Sequence, residues 1–203
     1  MTITLVDYGL GNIQAFVSIY SRINVPVAIA KDERTLAEAT KVVLPGVGAF
    51  DWAMSRLQAS GMRECLDDLV LFKKRPVLGI CVGMQIMAER SDEGNAAGLG
   101  WFDAAVKRLP RQETNEKVHL PHMGWNDVEE ADDSLFRGIA SPRFYFLHSF
   151  YFSPADASCV LAKADYHGGF AAAVRRQNIY GVQFHPEKSH HWGVQLLRNF
   201  ADL

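Results

Sequence analysis

The chain has 203 residues, with 21 basic and 23 acidic side chains and a formal net charge of −2. That length buries about 70% of the unfolded surface in one core, and the balanced charge offers no basic stripe for nucleic acid. No apolar run reaches the roughly 18 residues of a membrane span, and the three cysteines, none in a CxxC, fit a reducing cytoplasm.

In chain order, the first half alternates short β-rich runs with helical patterns. ITLVDY (3–8) is a strand; Asp7 interrupts its apolar run and no basic segment precedes it, so it does not read as a signal peptide. NIQAFVSIYSRI places Ile13, Phe16, Val17 and Tyr20 on one helical face. PVAIA (26–30), KVVLPG (41–46), a helical stretch around AFDWAMSRL and RPVLGIC (75–81) follow. These strands are apolar almost throughout, as strands covered on both faces are. The pattern predicts an α/β fold: a mostly parallel central sheet with helices on both faces, joined by right-handed crossovers.

The second half differs. From about Trp101 to Arg143 it is turn-rich; then FYFLHSFYF (144–152), CVLAKA (159–164), FAAAVRR (170–176) and IYGVQFH (179–185) follow closely. Their spacing predicts antiparallel pairs joined by hairpins, with turns at Gly168-Gly169 and Gln177-Asn178. A last helix, about Trp192–Asp202, carries Val194, Leu197 and Phe200 on its apolar side. No repeat or linker invites a cut, so residues 1–203 read as a single domain.

The chemistry starts at LGICVGMQIMAE (78–89), where Cys81 stands between Gly79 and Gly83 as an apolar run becomes a helical pattern. A nucleophile on a sharp strand-to-helix turn needs small neighbours two residues to either side, and G-x-C-x-G is the sulfur form of that device. A helix N-terminus beside Cys81 would favour the thiolate, only a few per cent populated for a free thiol at neutral pH. The plainer reading is a cysteine packed at a strand end.

A thiol nucleophile needs an imidazole to carry its proton and a carboxylate to hold the imidazole's tautomer. GVQFHPEKS supplies His185 and Glu187 one residue apart. In an extended segment these would project to the same side, with Pro186 stiffening the backbone. Acyl transfer also needs N–H groups aimed at the developing oxyanion. The N–H of Val82, just after the cysteine, supplies one, and the glycine-rich LPGVGAF (44–50) offers another through Val47. Alone, HPE reads as a loop histidine beside a surface glutamate, and PGVG as an ordinary turn.

Together, GICVGMQ, PGVGAF and VQFHPEKS resemble the class I, triad-type glutamine amidotransferases. VDYGLGNI, LPHMGWN, FYFLHS and the lysine of HPEKS are similar to one branch of that family, the HisH-type glutaminase subunits of imidazole glycerol phosphate synthase. The resemblance implies a flavodoxin-like amidotransferase fold and hydrolysis of L-glutamine to glutamate and ammonia. Cys81 would form a γ-glutamyl thioester, His185 shuttle the proton and Glu187 orient His185. Gln85, Gly48 and the stretch His148, Ser149, Phe150 would bind glutamine, the last mainly through backbone. Phe150 departs from the family's usual tyrosine, and the KVHLPHMGWN segment is slightly longer than usual.

The resemblance also implies no cofactor and one partner, a HisF-type (β/α)8-barrel cyclase. That partner would receive the ammonia and make imidazole glycerol phosphate and AICAR in histidine biosynthesis. Asn12, Trp125, Tyr145 and Lys188 match the interface positions; from the sequence alone Trp125 is equally a core residue and Lys188 a solvated one. Other signals fail. Gly9-Leu10-Gly11 is no dinucleotide fingerprint, because the third glycine would fall at Gln14. Adjacent His190 and His191 lack a metal-ligand spacing, and Cys65 and Cys159 read as packing residues.

Overall fold

A computed structural model describes residues 2–109, 119–130 and 133–203. Its centre is an eight-stranded sheet of order β2-β1-β3-β4-β13-β12-β11-β8. The parallel part comprises β1 (Ile3–Val6), β2 (Val27–Ala30), β3 (Lys41–Gly46), β4 (Val77–Cys81) and β13 (Ile179–Val182). Strands β1, β3 and β4 are buried along their whole length, which is why they read as unbroken apolar runs. The spatial order 2-1-3-4-13 follows the flavodoxin-like pattern. All five strands point the same way, so the ends of β3, β4 and β13 open onto one rim.

Helix α1 (Ile13–Arg22) buries Phe16, Ile19 and Tyr20 on its inner face and is capped by Asn12, whose Oδ1 accepts from the Ala15 N–H at 3.1 Å. Between β2 and β4 come α2 (Glu33–Ala37), α3 (Phe50–Ala59) and α4 (Arg63–Asp67). The two five-residue helices escaped the sequence reading because so short a segment carries no periodicity. Helix α5 (Val82–Gln85) follows β4 directly but has only four residues, not the long helix that the pattern to Glu89 suggests. Its turns are taken over by backbone bonds to the next loop, Leu99 N–H to Ile86 O at 2.8 Å and Phe102 N–H to Met87 O at 3.1 Å.

The later strands are β5 (Arg90–Ser91), β6 (Ala104–Arg108), β7 (His122–Asp127), β8 (Glu129–Glu130), β9 (Arg143–His148), β10 (Phe150–Pro154), β11 (Val160–Asp165) and β12 (Gly169–Arg176). Two expected hairpins form: β11 with β12, and β12 with β13 across Gln177, whose φ of +56° makes the turn. The first turn is centred on Tyr166–Gly168, with Gly169 already in strand. FYFLHSFYF is not one strand and does not pair with the run that follows it. It divides at Ser149; β9 pairs with β7, and β10 with β6 in a second small sheet. The closing helix α6 (His190–Asp202) starts two residues earlier than predicted. One contiguous apolar cluster runs from Ile3 to Ala201 through all these layers. Lys117 and Val118 of the KVHLPHMGWN segment lie outside the described residues.

Candidate active site

The two glycines around Cys81 answer to the elbow's crowding. A Cβ on Gly83 would lie 1.9 Å from the Leu44 carbonyl oxygen of β3, and one on Gly79 2.7 Å from the Gly83 oxygen. Both neighbours are backbone and cannot yield. Cys81 itself takes φ +54°, ψ −111°, a conformation that costs a non-glycine residue about 1–3 kcal/mol. Register places it beside Gly46 at the C-terminal ends of β4 and β3. The strain lifts the sulfur above the sheet rim.

Val82 is the first residue of α5, so its N–H has no partner inside the helix. The strand facing it is braced from below: the buried Tyr8 hydroxyl donates to the Pro45 carbonyl at 2.8 Å. Burial, with the charge of Cys81 adding to it, raises the Tyr8 phenol well above its ordinary range, so it stays a donor. Val47 and Gly48 then leave the strand, Gly48 at φ +91°, and Val47 is 41% exposed.

His185 comes from three residues beyond β13. Its N–H donates to the Tyr145 carbonyl at 2.9 Å, and Ser189 Oγ donates to its carbonyl at 2.6 Å, which fixes the backbone. Glu187 Oε1 lies 2.8 Å from His185 Nδ1, with both side chains almost fully buried. The route differs from the expected one. Pro186–Lys188 form a 3-10 turn with His185 at its cap, not an extended segment, and Pro186 suits the first position of that turn. Glu187 Oε2 is buried with no hydrogen-bond partner among the described residues, so the carboxylate leans on His185.

Burial alone would lower the imidazole's pKa. Hydrogen bonds to Cys81 and Glu187, and the charges of both, outweigh it and raise His185 to about 10. The carboxylate holds the Nδ1 side of the ring, and His185 shares the cavity wall with Cys81.

A cavity of about 310 Å³ opens over the sulfur, a size suited to a small polar metabolite. Its walls include Cys81, His185, Val47, Val82, Gly48, Gln85, His148, Ser149, Phe150 and Lys188. Glu187 stands behind His185. Phe150 meets the pocket beside Gln85, whose Nε2 donates to its carbonyl at 2.9 Å, while the Arg108 guanidinium lies over its ring at 5.9 Å. The His148 ring is turned inward, donating from Nδ1 to the same Phe150 carbonyl at 2.9 Å.

Glu93, Pro121 and Leu147 also line the cavity and had no sequence signal strong enough to single them out. Glu93 brings a negative charge, and its Oε2 accepts from the Phe50 N–H at 2.8 Å, capping α3. Only tertiary contact between the 91–98 loop and α3 places it there. Gln183, discussed below, was also missed.

Tyr145, Trp125 and Lys188 gather beside the mouth. Trp125 stacks on His190 at 5.1 Å and meets Tyr145 edge-on at 6.1 Å, while the Lys188 ammonium sits 5.8 Å from the Tyr145 ring. Trp125 is 37% exposed, so it is not a core residue. Asn12 caps the start of α1, a helix that packs near the Pro186–Lys188 turn, and Gly11 beside it packs on Pro45. Cys65 is buried and Cys159 half-buried against the core. Among the described residues no group of three or more His, Cys, Asp or Glu side chains could hold a metal, and no helix is long and apolar enough to cross a membrane.

The family profile of glutamine amidotransferase class-I matches residues 4–202. The chain belongs to the class-I glutamine amidotransferases. Two relatives narrow the assignment within that family. The imidazole glycerol phosphate synthase subunit HisH of Bdellovibrio bacteriovorus is 54% identical, over 99% of this chain and 100% of its own. The subunit of the same name in Leptospira interrogans is 49% identical over the same shares. A solved glutamine amidotransferase superimposes with TM-score 0.76 at 18% identity, over 98% of this chain and 97% of that one, and so shares the fold. This amidotransferase is therefore an enzyme of the HisH family, the glutamine-hydrolysing subunit of imidazole glycerol phosphate synthase in histidine biosynthesis.

Proposed function

We propose that Cys81, His185 and Glu187 carry the glutamine hydrolysis. The observation that bears most weight is the buried imidazole–carboxylate pair, His185 Nδ1 2.8 Å from Glu187 Oε1, on the same cavity wall as the Cys81 sulfur. The thiolate attacks the side-chain carbonyl carbon of L-glutamine, and the carbonyl electrons move onto oxygen. The N–H groups of Val82 and Val47 receive that oxyanion. His185 gives its proton to the departing nitrogen, ammonia leaves, and a γ-glutamyl thioester remains on Cys81. Water then attacks the thioester, His185 takes its proton, and glutamate departs as the sulfur regains its charge.

Gln85, Gly48 and the stretch His148, Ser149, Phe150 shape the glutamine pocket. Gln85 spends both Nε2 protons inside the protein, on Phe150 O and on Gln183 Oε1, so it offers the substrate its oxygen. With Glu93 across the cavity, two acceptors await the α-ammonium of the substrate. The Phe150 contact runs through main chain, which is why the missing tyrosine hydroxyl costs little.

Ammonia is protonated in bulk water, so its use requires a partner at the cavity. The subunit's counterpart is a HisF-type (β/α)8-barrel cyclase, bound as a heterodimer over Asn12, Trp125, Tyr145 and Lys188. Val47, on the cavity wall, is an exposed apolar side chain that such a partner could cover. The test uses the reconstituted complex. Cys81→Ala is expected to abolish glutamine-dependent synthesis and leave synthesis from ammonium salts intact. Loss of both would show that the chain does more than supply ammonia.

A further inference from the structure

Behind the cavity, a string of hydrogen bonds has a polarity that its ends dictate. The Phe150 carbonyl can only accept, and it takes Gln85 Nε2–H at 2.9 Å. The other Nε2 proton of Gln85 goes to Gln183 Oε1 at 3.1 Å. With its oxygen so engaged, Gln183 turns its nitrogen the other way, and that nitrogen lies 3.8 Å from Cys81 Sγ. Inverting the Gln183 amide would set donor against donor.

A second branch locks the Phe150 carbonyl in place. His148 donates to it from Nδ1 at 2.9 Å, so His148 Nε2 must accept, and His122 Nδ1 donates there at 2.9 Å. His122 Nε2 faces Asn126 Nδ2 at 3.3 Å, which donates in turn to the Asp165 carbonyl at 2.7 Å. Both rings are neutral in this pattern. Their burial agrees, since it lowers His148 to about 3 and His122 to about 4.

We propose that Gln183 is a further catalytic residue, whose side-chain N–H donates to the Cys81 sulfur and steadies the attacking thiolate. This rests on the reading of Cys81 as nucleophile. The need for such a donor is visible in the fold. The four-residue α5 provides almost no helix dipole, and the Leu147 carbonyl, 3.9 Å from the sulfur, can bond only the thiol. An N–H opposite that carbonyl favours the charged form. The bond raises the share of sulfur present as the attacking thiolate, weakens when the sulfur becomes a thioester, and re-forms as water expels the thiolate in deacylation. Ionisable side chains around the sulfur include His185 and Tyr8, with Glu93, His148 and Lys188 on the same cavity wall.

Gln183 is completely buried, and a purely structural role would be to satisfy Gln85. Gln183→Glu separates the two roles: it keeps the oxygen that Gln85 needs and removes the N–H at the sulfur. In the complex with the barrel, alkylation of Cys81 by iodoacetamide, followed against pH, is expected to shift its midpoint upward by about one unit or more. Glutamine-dependent kcat should fall about tenfold or more, the size of a lost hydrogen bond to a charged group, with KM within about twofold. Ammonium-dependent synthesis should be unchanged and report intact folding. A Glu variant that folds and keeps the parent alkylation profile overturns the proposal.

Should that variant fail to fold, the unsubstituted chain decides through its Gln183 side-chain amide resonance. That resonance is expected to move when Cys81 is alkylated, and a stationary one overturns the proposal. Glutamine hydrolysis surviving in Cys81→Ala would instead defeat the nucleophile assignment itself, a different outcome from a Cys81-dependent enzyme indifferent to Gln183.

Discussion

At residue scale, the site is held by contacts that tolerate almost no change. Gly83 meets backbone at 1.9 Å for any added Cβ, and the strand it meets cannot retreat without unpairing β3 from β4. Gly83→Ala is expected to cost about 3 kcal/mol or more by overpacking, read as a lower urea midpoint at unchanged slope. A midpoint equal to the parent's would mean the elbow has slack. This was legible in the sequence, since a cysteine that merely filled a core would not need glycines at 79 and 83.

The His185 pair makes a second prediction, with its sign set by linkage. The pKa is 6.5 in a free side chain and about 10 in the fold. Below about 6.5 both states hold the proton and the stabilisation is complete. Between these values only the folded state keeps it, so stability falls as pH rises through the window. Glu187→Gln removes one of the two groups that hold the proton and should flatten that decline. Urea titrations from neutral pH to about pH 10 check it, and a parent protein equally stable across the range would contradict the pairing.

At the scale of elements, the β7–β9 pair holds His122 and His148 in neutral form. His122 is sandwiched between Tyr166, ring centroids 4.0 Å apart, and Phe146 at 4.9 Å. For these two the linkage runs the opposite way. Below about 6.5 the unfolded chain takes up protons that the folded rings refuse until about pH 4. Stability should therefore fall as the solution is acidified through that interval. His122→Asn is expected to make the acid limb shallower while lowering stability at neutral pH; an unchanged acid limb would show that His122 is protonated in the fold. None of this could be read from the sequence. LPHMGWN and FYFLHS announce themselves as motifs, but nothing local says that they pair, or that FYFLHSFYF splits between two sheets.

For the whole molecule, the exposed aromatic group around Trp125 and the cavity mouth share one face. Trp125→Ala is expected to weaken binding to the barrel about tenfold or more, as loss of a central aromatic anchor does. The isolated chain's stability should change little, because Trp125 lies outside the core. Isothermal titration of the two purified subunits measures the first and urea unfolding the second. Equal affinities for parent and variant would remove Trp125 from the interface.

The sequence by itself determined the parallel sheet, through apolar runs that only double-sided burial explains, and it marked Cys81 as a candidate nucleophile through the glycines two residues to either side, with His185 and Glu187 as its candidate partners. It could not supply what depends on distant chain segments meeting. Glu93 reaches the cavity because a loop docks on α3, and Gln183 faces the sulfur because Gln85 and the Phe150 carbonyl dictate its orientation. Glu187 bonds His185 from within a turn and not along a strand. Backbone crowding is written over neighbouring residues, whereas hydrogen-bond polarity in a buried network is settled by partners up to a hundred positions away, and only the folded structure brings them together.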